Sequence, residues 1–303
     1  RANSPMTQIL KADRAAIEDA AKAIRAGELV AMPTETVYGL AGDAFNPRAL
    51  TAIFAAKERP LFDPLIAHVA PSMTKNEWST ALDALGLIDA RTITPSAHQT
   101  LAALIDGFWP GPLTLVLPRG ARVVDLLTGG LAEVGVRMPA HLVAQTLIES
   151  AGTPLAAPSA NRFGRISPTS AQDVWNELAG RIPWILDGGP CTVGVESTVV
   201  RVRPEGSPEI LRPGGVTAEA IAQACQREVV RVSPESQGAS PGLLDSHYAP
   251  TKPLLLLPFP ADAAPAENWL ARVNLEALPP GPLGILLQKG STARIKTLTQ
   301  HLE

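Results

Sequence analysis

Cysteine is scarce in this 303-residue chain, and the two that occur do not form a recognisable site. Cys191 and Cys225 have neither the spacing of metal ligands nor that of a disulfide framework. We therefore expect two free, buried thiols and a reducing, cytoplasmic location.

Long apolar runs are absent as well. The longest uninterrupted aliphatic run covers residues 254–257, far short of the ~20 residues that cross a bilayer. Residues 1–5 precede Met6 and lack the apolar core of a signal peptide. The sequence predicts no membrane span, and we leave this first stretch out of the fold.

The charge balance is nearly even, with 26 Lys and Arg against 29 Asp and Glu, a net charge of −3. No global positive field draws the chain to nucleic acid, and basic residues do not interleave with aromatic ones as they do on RNA-binding surfaces. The glycines of residues 188–194 spell neither a P-loop nor a GxGxxG fingerprint. Any anion site must therefore be local.

Apolar segments alternate between helix and strand periods, and 46% hydrophobic residues are ample for a buried core. Asp13 is placed to cap a helix to about Ala26, and Asn46-Pro47 to open a helix to about Lys57. Further helices are predicted at 98–108, 141–150 and 170–179, the last with a Ser170/Asp173 capping box. Strands are predicted at 29–32, 65–69, 113–117, 133–138, 155–157, 185–187, 197–202 and 209–211.

This order of elements predicts an α/β fold with a twisted, mixed parallel and antiparallel sheet and flanking helices. The strands at 185–187, 197–202 and 209–211 follow one another without helices, so we expect that part of the sheet to be antiparallel. A Ser-, Pro- and Gly-rich stretch at 233–251 indicates a linker. A small second α/β unit is then expected at 252–303.

Polar residues cluster where apolar segments end, at places where a sheet edge opens to solvent. A hydroxyl-rich turn at 33–36, the cations Lys57 and Arg59, and His68 share one short stretch. Together they are typical of an anion-binding site.

Three later clusters have the same character. Ser159 and Asn161 follow a short strand, at the kind of sheet edge where open α/β folds bind ligands. Ser197 closes a glycine-bearing loop, and glycine lets backbone approach a ligand closely. Arg212 offers a fork that matches phosphate oxygens.

Each cluster also has an ordinary structural explanation. Turn hydroxyls cap nearby backbone, cations complement a helix C-terminus, a strand histidine packs in the core, and a surface arginine forms a weak salt bridge. No single cluster decides between a ligand site and these alternatives.

Taken together and in order, the clusters resemble the YrdC/YciO superfamily, and within it the long, two-domain threonylcarbamoyladenylate synthases. The resemblance covers about residues 7–251. The matching motifs are Pro33-Thr34-Glu35-Thr36-Val37-Tyr38-Gly39-Leu40, Lys57-x-Arg59, Pro64-Leu65-Ile66-x-His68, Phe108-Trp109-Pro110-Gly111-Pro112-Leu113-Thr114-Leu115, Val136-Arg137-Met138-Pro139, Ala157-Pro158-Ser159-Ala160-Asn161, Asp187-Gly188-Gly189-Pro190, Glu196-Ser197-Thr198-Val199, Leu211-Arg212-Pro213-Gly214, Ser240-Pro241-Gly242 and His247-Tyr248-Ala249-Pro250.

The resemblance implies a YrdC-like catalytic domain at 7–232, a linker at 233–251 that closes over the site, and a small Rossmann-like domain at 252–303. It implies an enzyme that condenses L-threonine, bicarbonate and ATP into threonylcarbamoyl-AMP and pyrophosphate. A separate transferase complex would use the product to modify tRNA beside the anticodon, with direct tRNA binding by this chain weak or absent.

The resemblance also assigns residues. Lys57 and Arg59 would be catalytic, and magnesium would enter with ATP, its protein ligands being left open. The predicted threonine ligands are Thr36, His68, Arg137 and Ser197, and for Arg137 contact with ATP is the alternative. The predicted ATP ligands are Arg59, Asp63, Ser159, Asn161, Thr169, Arg212 and Ser240.

The sequence departs from the family pattern in two places, and alternatives remain for the role of His68 and for the function. Family members commonly carry Asn where this chain has Asp63, and residues 252–303 are shorter than the usual second domain. His68 suits either proton transfer or hydrogen bonding to threonine. The alternative functions are a carbamoyl-adenylating transferase of the same fold and an RNA-binding module.

Overall fold

The computed structural model describes residues 6–74 and 77–231. The strands are β1 Gln8–Lys11, β2 Val30–Met32, β3 Gly39–Asp43, β4 Ile66–His68, β5 Leu113–Pro118, β6 Glu133–Arg137, β7 Leu155–Ala156, β8 Trp184–Asp187, β9 Thr198–Val202, β10 Pro208–Arg212 and β11 Val230–Arg231. The helices are α1 Arg14–Arg25, α2 Pro47–Lys57, α3 Trp78–Ala84, α4 Pro95–Phe108, α5 Asp125–Thr128, α6 Leu142–Ala151, α7 Ala171–Leu178 and α8 Ala218–Cys225. Ser240, the linker and the 252–303 unit lie outside the described residues, so those assignments stay predictions.

The strands form one mixed sheet in the order β1-β8-β2-β3-β7-β4-β6-β5-β9-β10-β11. Strand β6 lies parallel to β4 and antiparallel to β5, and β9 continues the sheet parallel to β5. The predicted mixed sheet with flanking helices is confirmed. None of the described helices is long and apolar enough to cross a membrane.

The expected antiparallel run after residue 184 is only half right. Strands β9 and β10 form the antiparallel pair, but β8 lies parallel to β1 and β2, and six strands separate it from β9. The loop between β8 and β9 connects these distant strands and is bonded on its way to the turn after β2. The amides of Val193 and Gly194 donate to the carbonyls of Glu35 and Thr36, at 2.8 and 3.0 Å.

Local capping determines several helix boundaries as predicted. The side chains of Asp13 and Asn46 accept backbone N–H groups at the starts of α1 and α2, and Ser170 and Asp173 form a reciprocal capping box before α7. Helix α4 begins earlier than predicted, since Thr94 caps it and Pro95 occupies its first turn.

Alternation along β5 separates the core from the site. Leu113, Leu115 and Leu117 pack into the main hydrophobic cluster, whereas Thr114 lies on the opposite side of the strand. Cys191 and Cys225 are free but only half-buried, so the prediction that both thiols are buried is wrong.

The buried hydroxyl of Thr198 ties β9 to the loop that follows β10. It donates to the carbonyl of Val216 at 2.7 Å and accepts from the Val216 amide at 2.9 Å. Thr198→Val keeps the shape but leaves both Val216 groups without these partners. We expect the free energy of unfolding to fall by ~1–3 kcal/mol in urea denaturation.

Thr51→Val is the matched control, because the Thr51 hydroxyl bonds Pro47 on the exposed side of α2. Its free energy of unfolding should change by less than about 0.5 kcal/mol. Equal denaturation midpoints for the two variants would contradict the assigned role of Thr198.

Candidate active site

A cleft opens where the turn after β2, the ends of β4 and β6 and the loops after β7 and before β9 come together. It encloses about 510 Å³, including the part open to solvent. Its walls are formed by Thr34, Val37, Gly39, Arg59, Pro64, Leu65, Ile66, His68, Arg137, Ala157, Pro158, Ser159, Glu196, Ser197 and Arg212. Six predicted ligand residues therefore meet in one place: Arg59, His68, Arg137, Ser159, Ser197 and Arg212.

Sheet register brings the floor of this cleft together. His68 pairs with Arg137 across β4 and β6, and Arg137 pairs with Thr114 across β6 and β5. Residues paired in register point to the same face of a sheet. The Thr114 hydroxyl then lies 2.8 Å from the hydroxyl of Ser197, just before β9.

The turn after β2 is held by its own hydroxyls. Thr34 Oγ1 donates to the carbonyl of Val37 at 2.6 Å and accepts the amides of Thr36 and Val37. Thr36 Oγ1 accepts from Arg137 Nη1 at 2.9 Å. The sequence left two explanations open for this turn, and the structure agrees with both. Its hydroxyls cap nearby backbone, as in an ordinary turn, and one of them also contacts an arginine of the cleft.

His68 is a neutral imidazole at ordinary pH. Burial above all, and the nearby charge of Arg137, lower its pKa to about 3. Its Nδ1 lies 3.1 Å from the carbonyl oxygen of Ile66, which can only accept, so Nδ1 carries the hydrogen.

Arg212 and Ser197 are bonded to each other. Arg212 donates from Nε and Nη2 to the Ser197 carbonyl, at 3.2 and 2.9 Å, and from Nη2 to its hydroxyl at 3.1 Å. Glu196 adds a carboxylate 3.8 Å from Arg212 Nη2. The backbone after Arg212 can lie close to the backbone of Glu196 because residue 214 is glycine. A Cβ on Gly214 would meet the Glu196 carbonyl oxygen at 2.3 Å.

Arg59 forms a buried ion pair with Asp63. Its Nη2 lies 2.8 Å from Asp63 Oδ2, with both side chains less than a tenth exposed, and donates to the carbonyl of Pro64 at 2.9 Å. Burial raises the pKa of the Asp63 carboxyl, while the charges of Arg59, Lys57 and Arg212 oppose that shift. The aspartate thus adjoins three cations of the site.

Lys57 lies behind the cleft wall and is not among the residues that line it. Its ammonium is completely buried and donates to the backbone carbonyls of Ser159 and Asn161. Burial first, and then the charge of Arg59, lower its pKa well below the ordinary value. In this arrangement Lys57 holds the loop after β7, and its catalytic role stays a prediction.

Three predicted ATP ligands, Asp63, Asn161 and Thr169, also lie outside the cleft lining, as does the predicted threonine ligand Thr36. Asn161 donates from Nδ2 to the carbonyls of Arg162 and Arg165, and its buried Oδ1 has no hydrogen-bond partner among the described residues. Thr169 contacts the carboxylate of Asp173 at the start of α7.

Sequence reasoning missed three contributors, Glu35, Thr114 and Glu196. Glu35 accepts from Arg137 Nη2 at 2.6 Å, and Glu196 lines the cleft while accepting from the hydroxyl of Ser167 at 2.7 Å. The sequence could have indicated Thr114, since a threonine between two leucines of a strand points to the face of the sheet opposite the leucines. In residues 6–74 and 77–231, His, Cys, Asp and Glu form no group of three that would hold a metal ion.

Comparison with known proteins places this cleft in a family. The sequence profile of the Sua5/YciO/YrdC family, described as "Telomere recombination", matches residues 22–214. The chain is 41% identical over 276 residues to the threonylcarbamoyl-AMP synthase of Pyrococcus abyssi, covering 88% of this chain and 76% of the relative. It is 42% identical over 255 residues to that of Bacillus subtilis, covering 83% and 69%.

A solved structure gives the same relationship in three dimensions. The crystal structure of P. abyssi Sua5 complexed with L-threonine matches with a TM-score of 0.70 and 40% identity, over 82% of this chain and 69% of that one. The matched profile covers the strands, loops and arginines that form the cleft up to Gly214. The chain belongs to the Sua5/YciO/YrdC family.

Proposed function

We propose that the chain is a threonylcarbamoyl-AMP synthase, which condenses L-threonine, bicarbonate and ATP and releases pyrophosphate. The observation that carries the proposal is the meeting of Arg59, Arg137 and Arg212 with neutral His68 and Ser197 in one cleft. Two anionic reactants, a triphosphate and a carbamate, need such a set of fixed positive donors. The relatives that bear this name, and the solved relative with bound threonine, support it.

Different residues of the cleft suit different reactants. Arg137 and His68, paired in register, combine a cation with a neutral imidazole, which fit the carboxylate and hydroxyl of threonine, and Thr36 accepts a hydrogen bond from Arg137 behind them. Arg59 and Arg212 offer forks to the triphosphate.

In the proposed reaction, the amine nitrogen of threonine attacks the carbon of CO₂ or bicarbonate and loses a proton, with water leaving when bicarbonate reacts. A carbamate oxygen then attacks the α-phosphorus in line. The bond from that phosphorus to the bridging oxygen breaks, and pyrophosphate leaves with the electron pair. Positioning and charge stabilisation by the arginines supply the catalysis.

Magnesium fits this site as an ion carried by ATP. Mg²⁺ is ordinarily held by one or two carboxylates together with substrate phosphates. Glu196 is the carboxylate that lines the cleft within the described part of the chain, beside Arg212. The ion would offset the charge of the phosphates while the arginines orient them.

The product is a mixed anhydride that water hydrolyses, so it needs a consumer nearby. We propose that a tRNA-modifying transferase complex takes it up in the cytoplasm. Lys57 would then act by fixing the Ser159–Asn161 loop against which ATP lies.

The test is pyrophosphate release from ATP by the full chain, with threonine and bicarbonate each left out in turn. We expect release only with both present. Arg212→Ala should lower the rate by about 10²–10³-fold, as loss of a positioned donor to transition-state charge does. Arg203→Ala is the control, since Arg203 pairs with Glu209 away from the cleft. Release that requires carbamoyl phosphate instead of threonine would overturn the proposal.

His68 should bind rather than transfer protons. Its folded pKa of about 3 lies below the ordinary 6.5, so the imidazole stays neutral as the pH falls through 6.5 and gains a proton only near pH 3. His68→Asn should raise the KM for threonine but leave the apparent pKa values of the kcat/KM profile between pH 5 and 8 unchanged. Loss of an acidic limb from that profile in the variant would show that His68 is the base.

Asp63 should weaken ATP binding, because its carboxylate lies against Arg59. Asp63→Asn keeps an oxygen acceptor but removes the charge, so we expect the KM for ATP to fall roughly 3- to 10-fold. Since burial raises the pKa of Asp63, the wild-type KM should fall as the pH is lowered, and the variant should lack this component.

The matched control for Asp63 is Asp89→Asn, at an exposed ion pair with Arg91. Its KM for ATP should equal that of the wild type. A higher KM for ATP in Asp63→Asn would show instead that Asp63 holds Arg59 in its binding position.

A further inference from the structure

Glu35 lies between the two threonines of the turn and does not line the cleft. Its side chain is nine-tenths buried, and both carboxylate oxygens are used. Oε1 accepts from Arg137 Nη2 at 2.6 Å, and Oε2 accepts from the backbone amide of Ala140 at 3.1 Å. The carboxylate thus joins the turn after β2 to the arginine at the end of β6.

The guanidinium of Arg137 forms three hydrogen bonds with residues that do not line the cleft. Besides Glu35, its Nη1 donates to Thr36 Oγ1 at 2.9 Å and its Nε to the carbonyl of Gly111 at 3.2 Å. A guanidinium has five N–H donors, so two remain after these contacts, on a side chain that lines the cleft.

Burial makes the acidic partner essential to this arrangement. The Arg137 side chain is 4% exposed, and a buried cation without a counter-charge is strongly unfavourable. Without Glu35 the guanidinium would turn towards solvent or form another pair. Either change would alter the face that Arg137 presents to the cleft.

Glutamine cannot replace Glu35 in this role, although it has the same size. Two donors, Arg137 Nη2 and the Ala140 amide, converge on the two oxygens. The side-chain amide of glutamine has one acceptor oxygen, and its NH₂ group would face a donor. The geometry therefore demands a carboxylate.

We propose that Glu35 is a positioning residue for threonine, acting through Arg137. It neutralises the buried guanidinium and sets its plane, so that the remaining donors meet the carboxylate of threonine without rearrangement. The proposal rests on the proposed function, because it assigns threonine to the Arg137 side of the cleft.

The test compares Glu35→Gln with the wild type in steady-state pyrophosphate release, and measures threonine binding by calorimetry. Loss of a hydrogen bond to a charged group predicts that the KM for threonine and its Kd rise by about 10- to 100-fold. The KM for ATP should change by less than about threefold. A wild-type protein that binds threonine but releases no pyrophosphate would refute the proposed function. In that case the Kd for threonine of Glu35→Gln would still decide the Glu35 proposal.

Glu209→Gln is the matched control. The Glu209 side chain is 7% exposed against 9% for Glu35, and it pairs with Arg203 at 2.8 Å and Arg201 at 3.6 Å, away from the cleft. It should lose stability as Glu35→Gln does, with an unchanged KM for threonine. Equal changes in that KM for both variants would overturn the proposal, as would a folded Glu35→Gln with wild-type threonine affinity.

A double-variant comparison separates positioning from a general loss of packing. If Glu35 acts through Arg137, then Glu35→Gln combined with Arg137→Gln should bind threonine within about twofold of Arg137→Gln alone. A further tenfold loss in the double variant would contradict the proposal. This comparison also serves if Glu35→Gln does not fold by itself, because the double variant removes both buried charges.

Discussion

Pairing of cleft arginines with carboxylates is the interaction on which the rest of the site depends. Three arginines lie in a poorly hydrated wall, and each has an acidic neighbour, in the pairs Arg137–Glu35 at 2.6 Å, Arg59–Asp63 at 2.8 Å and Arg212–Glu196 at 3.8 Å. Buried ion pairs are poor sources of stability, since desolvation offsets their attraction. The value of the Arg137–Glu35 pair is orientation, because its donors already point at the reactant when it arrives, whereas the Asp63 carboxylate competes with the triphosphate for Arg59.

The fold serves this arrangement through register and one long loop. Strands β4, β6 and β5 place His68, Arg137 and Thr114 in a row, and the loop from β8 to β9 delivers Ser197 to the end of that row. That loop is bonded to the backbone of Glu35 and Thr36. A single turn therefore positions an arginine, a hydroxyl and the opposite wall of the cleft.

Local signals in the sequence were sufficient for much of the fold. Asp13, Asn46 and Ser170 cap helices where predicted, because capping depends on residues only a few positions apart. The partner of β8 could not be predicted in this way, since strand pairing across the sheet is set by long-range contacts. The short spacing between β8 and β9 in the sequence favoured pairing of these two strands. In the structure β8 pairs with β2 instead, and the loop after it leads to β9 in another part of the sheet.

The same limit applies to the site. The ordered sequence motifs identified six residues that line the cleft, yet they could not predict how deeply a given side chain is buried. Lys57 at the end of α2 has the pattern of a surface cation, but two inward-facing carbonyls of the Ser159–Asn161 loop hold it in the interior. Asp63 was recognisable as unusual, while its ion pair with Arg59 follows only from the folded chain.

The most direct measurement is a crystal structure of the full chain with L-threonine and a non-hydrolysable ATP analogue. We expect both ligands in the one cleft, with the threonine carboxylate at Arg137 and the triphosphate within hydrogen-bond distance of Arg59 and Arg212. Ligands bound outside this cleft, or a triphosphate at Arg137 with threonine at Arg59, would contradict the division of the site described above.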